Sequence, residues 1–253
     1  MASQEPEAPA PNGYSQLTQI VVPLEQAART FAERDASGRI PIVVVPQRLT
    51  RIRIPLVVAG AILVVAAIAL PLGLVLILIR VAGIPAVSQI VWFLIEFLRG
   101  TPFLIQLYFI FYVMPNYGVT LSPFTTGVVA LGIYGAARAA ELYRAGIESV
   151  PPGQWEACMV LGLPLTYVWR GVVLPQVVPV ATPMLGNLVI VMFKDSAVLS
   201  TITVLELVAT AKDIGVMTFR YLEPLTLAGV LFWVVSYAAA HGVRRLEARH
   251  AGR

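Results

Sequence analysis

The sequence is poor in charged residues. They make up only 13% of its 253 residues, whereas 58% are hydrophobic, and soluble globular proteins carry about a quarter charged residues. The mean hydropathy is +0.79. This deficit of charge, together with long apolar runs, excludes an ordinary soluble domain and is typical of a chain that crosses a lipid bilayer. The net charge of +4 comes without a basic cluster interleaved with aromatics, so no nucleic-acid partner is expected.

Cysteine, histidine and lysine are also scarce. The single cysteine, Cys158, excludes an intrachain disulfide and a cysteine-based metal site. His241 and His250 lack the spacing of helical metal ligands, so we expect no metal or other cofactor on this chain. The only lysines, Lys194 and Lys212, do not end a glycine-rich phosphate-binding loop. The chain is therefore not expected to be an enzyme, and any ATP hydrolysis is expected on another chain.

The N-terminal segment lacks the features of a secretion signal. The first twenty residues contain no basic start followed by an apolar core. They are rich in Pro, Ala, Gln and Glu, which predicts a leader that is disordered or forms a short amphipathic helix. The predicted organisation is this leader over 1–50, a transmembrane domain over 51–243 and a basic tail over 244–253.

The apolar runs predict an all-α, polytopic membrane protein with about five transmembrane helices. The uncharged run 55–79 alone is long enough to cross a hydrocarbon core of about 30 Å. The segment 81–98 contains Pro85, Gln89 and Glu96, which predicts a connection at the inner face rather than a span. The predicted spans are 55–79, 98–114, 126–143, 177–193 and 225–240.

The distribution of Lys and Arg predicts the orientation. More of these residues lie in 80–99, 144–176 and 241–253 than in 115–125 and 193–224, which places the C-terminus in the cytoplasm by the positive-inside rule. With five spans, the arginines at 48, 51 and 53 would then lie outside. An even number of spans, with 81–98 inserted, would remove that conflict and stays open as an alternative.

Two short patterns predict local structure at the start of the second span. Glu96 and Arg99 lie three positions apart and are expected to form an ion pair. Gly100-Thr101-Pro102 predicts a helix start with Thr101 as the N-cap and Pro102 in the first turn. Both patterns predict an architectural role.

The stretch 153–176 is a half-polar interruption of this apolar chain. Prolines at 151 and 152 precede it, and Gly162 is a natural helix stop. The pattern predicts a helix of about two turns outside the bilayer core. This helix either docks into a groove on a partner protein or lies on lipid headgroups with Trp155 as its anchor.

A resemblance favours docking. The motif residues Glu156-Ala157-Cys158, Gly162 and Leu174-Pro175 resemble the EAA loop of ATP-binding cassette importer permeases. Three further segments, 98–115, 141–157 and 193–207, are similar in order and spacing to segments of the polar amino-acid permeases of that class. Together these similarities cover about residues 55–240.

The resemblance implies an architecture and a set of partners. The fold would be that of a type I importer permease in a bacterial inner membrane, surrounded by lipid, with a cytoplasmic coupling helix. The partners would be an ATPase dimer carrying ATP and Mg²⁺, a second permease copy or paralogue, and an extracytoplasmic solute-binding protein. The residues implied to dock on the ATPase are Gln154, Trp155, Glu156, Ala157, Met159 and Gly162.

The sequence departs from the family pattern at four places. Cys158 replaces the second alanine of the loop motif, and Pro164 follows soon after Gly162. Ser196-Ala197 stands where Thr-Ser is usual, and Arg138 stands where the family more often has an aromatic residue. The Cys158 departure is expected to leave docking intact because the side chain is small and apolar.

Charged residues in the third span are candidates for the substrate pathway. Arg138 and Glu141 share one helix face. They either pair with each other, or Arg138 presents its planar guanidinium to a substrate carboxylate. Lys194 and Asp195 either pair or close the outer end of the pathway. The candidate pathway residues are Arg138, Glu141, Asn187, Lys194, Asp195 and Ser196.

The sequence thus predicts the permease of an ATP-driven, binding-protein-dependent importer for polar amino acids or related small zwitterions, working by alternating access. The alternative is an ion-coupled secondary transporter. That class requires an acid or histidine buried in the middle of a span, and the first, second, fourth and fifth spans contain almost none. The individual substrate, and the choice between homodimer and heterodimer, stay open.

Overall fold

The computed structural model describes residues 50–251, and every regular element in this range is a helix. The leader predicted over 1–50 lies almost entirely outside the described residues. The α-helices are α1 (Thr50–Val81), α2 (Pro85–Gly100), α3 (Phe103–Tyr108), α4 (Pro123–Glu148), α5 (Pro152–Val160), α6 (Leu165–Tyr167), α7 (Leu174–Asp195), α8 (Leu207–Thr218) and α9 (Leu222–Ala251).

Several of these helices continue into tighter or wider turns. The α3 helix is followed by a π-helical segment, Phe109–Val113, and a 3₁₀ turn, Met114–Tyr117. The π-helical segment Val168–Val173 joins α6 to α7, and the 3₁₀ segment Ser196–Ile202 follows α7. The tail predicted over 244–253 is not separate in the described range, because α9 continues through residue 251.

Within residues 50–251, three stretches are long and apolar enough to cross a membrane: Gly60–Val81, Leu165–Ile202 and Leu222–Arg245. The pair Pro85–Gly100 and Phe103–Tyr117 adds a fourth if the two parts count as one span, but they are bent by 106°. The helix α4 contains the predicted third span but is not among these candidates. The number of five spans therefore stays a prediction.

The bend between α2 and α3 is held by a buried amide. The Nε2 atom of Gln106 donates to the carbonyl oxygen of Leu98 at 2.6 Å and to that of Thr101 at 3.1 Å. The Thr101 hydroxyl donates to the carbonyl oxygen of Phe97 at 3.0 Å, so it closes α2. The prediction of Thr101 as an N-cap is wrong, because Pro102 takes the N-cap position of α3.

Close helix contacts build the core around α4. The helix α1 packs along α4, and at Gly73 an added Cβ would lie 2.7 Å from the carbonyl oxygen of Ala136 and 2.7 Å from the Cβ of Ala139. Small residues let helix backbones approach this closely in membrane proteins. The helix α7 packs against both α4 and α9. The central cluster includes Ile62, Ala69, Leu107, Leu131, Tyr134, Met192 and Ile202.

Candidate functional sites: the α5 helix and a polar cavity

The helix α5 forms where the sequence predicts it. Pro152 occupies the first turn, where its missing N–H costs nothing. At the other end Gly162 has φ +63°, which an L-residue with a Cβ adopts only with strain. The N–H of Leu163 donates to the carbonyl oxygen of Cys158 at 3.1 Å, and that of Gly162 to Met159 at 3.1 Å. This pair of bonds is a Schellman motif, which fixes the end of the helix.

One face of α5 packs onto the rest of the chain. Cys158 is buried, and the Trp155 ring meets that of Trp169 edge-on at a centroid distance of 5.7 Å. Their neighbours in this second cluster are Val150, Leu163, Val168, Val173, Val177 and Ala181. The side chain of Trp155 is therefore half-buried against its own chain, and it fixes α5 to the π-helical segment that precedes α7.

The C-terminal end of α5 is exposed and apolar. Met159 is 73% exposed, Val160 87% and Leu161 71%. Gln154, Glu156 and Ala157 are exposed as well. Of the predicted docking residues, Trp155 faces inward and the others face outward. The predicted docking residues do not include Val160 and Leu161, which are exposed and apolar as well.

The second site is a cavity of about 280 Å³ between α4 and α7. It brings together three of the predicted pathway residues, Arg138, Glu141 and Asn187, and adds Arg99 from the end of α2. The remaining lining residues are Leu142, Met184, Leu188 and Val191. The cavity thus has apolar walls with a few polar groups, as small-molecule sites do.

Glu141 is paired with two arginines. Arg144 donates to both carboxylate oxygens of Glu141, with its Nε at 3.0 Å from each. Arg99 lies 3.5 Å from the second oxygen of Glu141 and also pairs with Glu96 at 2.8 Å. The predicted Glu96–Arg99 pair is confirmed. Arg144 also binds Glu148, so these residues form a ladder of alternating charges.

Arg138 stands apart from this ladder. None of the ion pairs formed within residues 50–251 involves it, so the predicted pairing with Glu141 is not found. Its guanidinium carbon lies 4.4 Å from the centroid of the Tyr134 ring, which is a cation–π distance. Its buried Nε has no hydrogen-bond partner in the structure. Arg138 therefore enters the cavity as a cation held by an aromatic ring.

The other three predicted pathway residues lie elsewhere. Lys194, Asp195 and Ser196 stand at the far end of α7 and do not line the cavity. Lys194 is exposed and forms no ion pair with Asp195 among the described residues. The buried hydroxyl of Ser196 donates to the carbonyl oxygen of Phe193 at 2.7 Å, which is a local helix-end contact.

A buried carboxylate follows the same end of α7. Glu206 is 2% exposed and caps α8 by accepting a hydrogen bond from the N–H of Ala209 at 2.7 Å. Burial raises the pKa of this carboxyl, partly offset by backbone N–H groups and by Lys212. Glu206 lies outside the candidate spans. No group of three or more potential metal ligands occurs among residues 50–251.

Comparisons with known proteins agree with this architecture. The family described as "Binding-protein-dependent transport system inner membrane component" matches residues 69–251. The probable amino-acid ABC transporter permease y4tG of Sinorhizobium fredii is 43% identical over 154 residues, which cover 61% of this chain and 67% of that protein. The arginine transport system permease ArtQ of Bacillus subtilis is 33% identical over 202 residues, or 79% and 90% of the two chains.

Solved structures give the same result. A chain from an amino acid ABC transporter crystallised with histidines is similar with a TM-score of 0.76 and 33% identity, covering 79% of this chain and 93% of that one. A chain of the inward-facing methionine transporter MetNI has a TM-score of 0.58 at 20% identity, which shows a shared fold alone. The predicted all-α permease fold is confirmed.

Proposed function

This chain belongs to the family of inner-membrane components of binding-protein-dependent transport systems, and we propose that its substrates are polar amino acids or related small zwitterions. It is a permease of an ATP-binding cassette importer. The chain is a transport component rather than an enzyme, and the ATPase, which would carry ATP and Mg²⁺, is a separate subunit. A solute-binding protein is the second partner that the family implies.

The helix α5 is the proposed contact with the ATPase. Its exposed apolar row consists of the consecutive residues Met159, Val160 and Leu161 at its C-terminal end, near the exposed Glu156. A short helix with such an exposed apolar end fits a groove on a partner. The lipid-anchor alternative needs a free Trp155, and this ring is packed against Trp169. The geometry therefore supports docking over anchoring.

The coupling path would run through the base of α7. The buried side of α5 contacts the π-helical segment Val168–Val173 that leads into α7, and it shares an apolar cluster with Val177 and Ala181 of α7. A push on α5 would therefore reach α7 through this segment, and α7 lines the cavity through Asn187. ATP-driven closure of the motor would in this way shift the population between inward-facing and outward-facing states.

The remaining assignments complete the assembly. A second permease copy or paralogue would close the pathway, and the cavity would form part of it. The α5 side and the C-terminus would face the cytoplasm, as the excess of arginine there predicts. The secondary-transporter alternative gains no support from the comparisons. Among residues 50–251, the acid that is buried as a whole residue is Glu206, and it lies outside the candidate spans.

Co-purification with the ATPase subunits tests docking. The substitution Val160→Asp places a charge in the exposed row of α5 and should abolish or strongly reduce recovery of the ATPase with the tagged permease. The matched control is Met217→Asp, because Met217 is 74% exposed and lies in α8. The 22-residue α7 separates the two sites by about 33 Å at ~1.5 Å per residue.

Together the two variants distinguish docking through α5 from a general loss of assembly. Normal recovery with Met217→Asp and loss with Val160→Asp is the expected result. Equal recovery with both would contradict docking through α5. Glu156→Arg should act in the same direction and lower ATP-driven uptake while leaving the amount of membrane-inserted protein unchanged.

A further inference from the structure

We propose that the cavity beside Arg138 selects solutes with a net negative charge, of the class of amino dicarboxylates. The proposal rests on the proposed function, since it names the substrate class of that pathway. It goes beyond the relatives, one of which is named as a transporter of arginine, a cation.

The first step is the position of Arg138. It is a cavity residue, held over the Tyr134 ring at 4.4 Å, and no ion pair within residues 50–251 includes it. Its Nε is buried without a hydrogen-bond partner. A buried donor left unsatisfied is costly, and a carboxylate is the group that a guanidinium fork binds best.

The second step is the state of Glu141. A cationic solute would need a carboxylate in the cavity, and Glu141 is the acid that lines it. Arg144 donates hydrogen bonds to both carboxylate oxygens of Glu141, and Arg99 lies 3.5 Å from one of them. Both oxygens are therefore already paired with arginines of the protein. The remaining acids of the ladder, Glu96 and Glu148, lie at its exposed ends and not on the cavity wall.

The third step is the balance of charge on the wall. The lining contains two arginines and one glutamate, together with the neutral amide of Asn187. The cavity itself therefore carries an excess positive charge. The side-chain carbonyl oxygen of Asn187 can accept a hydrogen bond from the ammonium group of an amino acid. The carboxylates of the solute would then bind to the arginines. A volume of about 280 Å³ is at the low end for small-molecule sites, so the solute would be small.

Equilibrium binding of isosteric pairs tests the charge preference. The probes are labelled L-glutamate against L-glutamine and L-aspartate against L-asparagine, because each pair differs in charge and hardly in shape. The protein is the permease assembled with its ATPase subunits in lipid nanodiscs. The acid of at least one pair should bind roughly tenfold to a hundredfold more tightly than its amide, since a charge-assisted hydrogen bond is replaced by a neutral one.

Variants assign the preference to Arg138. Arg138→Gln should reduce the acid-to-amide ratio to near one, whereas Arg138→Lys should keep part of it because the positive charge remains. Arg245→Gln is the control, since Arg245 is exposed on α9 and does not line the cavity. The thermal midpoint of each variant shows whether it is folded, and Arg138→Lys keeps the test valid if Arg138→Gln is not.

Three results would overturn the proposal. They are amides that bind as tightly as acids, no measurable binding of either acid, and a preference for acids that survives in Arg138→Gln. Failure of the proposed function reads differently, because it appears as loss of ATPase co-purification in the unsubstituted protein. A complex that forms and hydrolyses ATP but prefers amides would refute only the charge preference.

Discussion

The helix α5 and the cavity are the two candidate functional sites of this apolar molecule, and they are built over very different distances along the chain. The whole of α5, from Pro152 to the Gly162 stop, is one short segment held by its own capping bonds. The cavity collects Arg99, Arg138 and Asn187 from three helices. The first site therefore depends on local backbone geometry, and the second depends on how closely α4 packs against its neighbours.

The two sites also differ in which side chains face outward and which face inward. On α5 the apolar side chains of Met159 and Val160 face outward, beyond the reach of the core. In the cavity the charged side chains of Arg138 and Glu141 face inward, between helices. An outward apolar face calls for a protein or lipid surface to cover it, whereas an inward cation calls for a small solute or counter-ion. The difference separates a mechanical contact from a recognition site.

The largest effect should come from closing the gap between α1 and α4. In Gly73→Ala the new Cβ would lie 2.7 Å from the carbonyl oxygen of Ala136, and such overpacking costs about 1–3 kcal/mol. The thermal midpoint in detergent should fall, and solute binding should fall with it because α4 carries Arg138. Recovery of the ATPase should change less, since α5 has its own caps.

The matched control lies on the same helix. At Gly60 an added Cβ has no neighbour within 4 Å, so Gly60→Ala should be neutral or stabilise the helix by up to about 1 kcal/mol. If both variants lower the midpoint equally, the close α1–α4 contact does not determine the stability of the cavity.

The second effect should stay within α5. Gly162 has φ +63°, so Gly162→Ala should weaken the helix end by about 1 kcal/mol. Hydrogen exchange of the amides of Gly162 and Leu163, which close the Schellman motif, should speed up by roughly fivefold. Solute binding in the cavity should not change.

Gly153→Ala is the control for this local effect. Gly153 lies in the first turn of the same helix, has no positive φ and has open space around it. Its replacement should slow exchange slightly or leave it unchanged, because Ala favours the helix. Faster exchange in Gly153→Ala would mean that the backbone conformation of Gly162 is not what fixes this helix end.

What the sequence could predict follows the same division. The α5 helix was predictable because its start and stop are coded by Pro152 and Gly162 themselves. The pairing of Glu141 with Arg144 was also predictable, because the two lie three positions apart on one helix. Its contact with Arg99 was not, because Arg99 reaches it from another helix and only the fold brings them to 3.5 Å. The hydrogen bond from Gln106 to Leu98 was not predictable for the same reason, because only the bend of the chain brings the two residues together.

The positions of the predicted pathway residues also depend on the fold. Arg138, Glu141 and Asn187 meet because two helix faces oppose each other. Lys194 and Asp195 share the same helix as Asn187 but lie about two turns beyond it, at the end of α7. Spacing along one helix predicts which residues share a face, but not how far along the helix the neighbouring cavity extends.

The third effect should come from removing a partner of Glu141, and it tests how the cavity is charged. Arg144→Gln removes the bidentate partner of Glu141 and leaves it with Arg99. Stability should fall by about 1 kcal/mol or less, because the pair is partly exposed and screened. If Arg138 governs the charge preference, the acid-to-amide binding ratio should shrink severalfold, since the carboxylate gains negative field in the cavity.

Glu148→Gln provides the comparison for that variant. It removes the other partner of Arg144 and leaves the contacts of Glu141 in place. The binding ratio should then stay as in the unsubstituted protein. An equal drop in both variants would show that the long-range charge of the ladder, and not the pairing of Glu141, sets the field in the cavity.

The smallest effect concerns Glu206, which combines the two kinds of site, because it is a local cap buried by long-range packing. Its carboxylate accepts from Ala209, while its second oxygen is buried without a partner. Burial raises the pKa of Glu206 above its ordinary value of 4.5, so the folded state holds the proton more tightly than the unfolded state. This contribution to stability is complete below pH 4.5 and is lost as the pH rises through the higher folded pKa.

The Glu206→Gln variant isolates this contribution. Glutamine keeps a carbonyl acceptor for Ala209 but cannot ionise, so the difference between the variant and the unsubstituted protein should vary with pH only through Glu206. Thermal midpoints should be measured from pH 4 to pH 8. As the pH rises, the midpoint of the unsubstituted protein should fall relative to that of Glu206→Gln. Lys212 should limit this fall, because it attracts the carboxylate. A constant difference across this range, or one of opposite sign, would mean that the cap contacts outweigh burial and that this carboxylate belongs with the local sites, as α5 does.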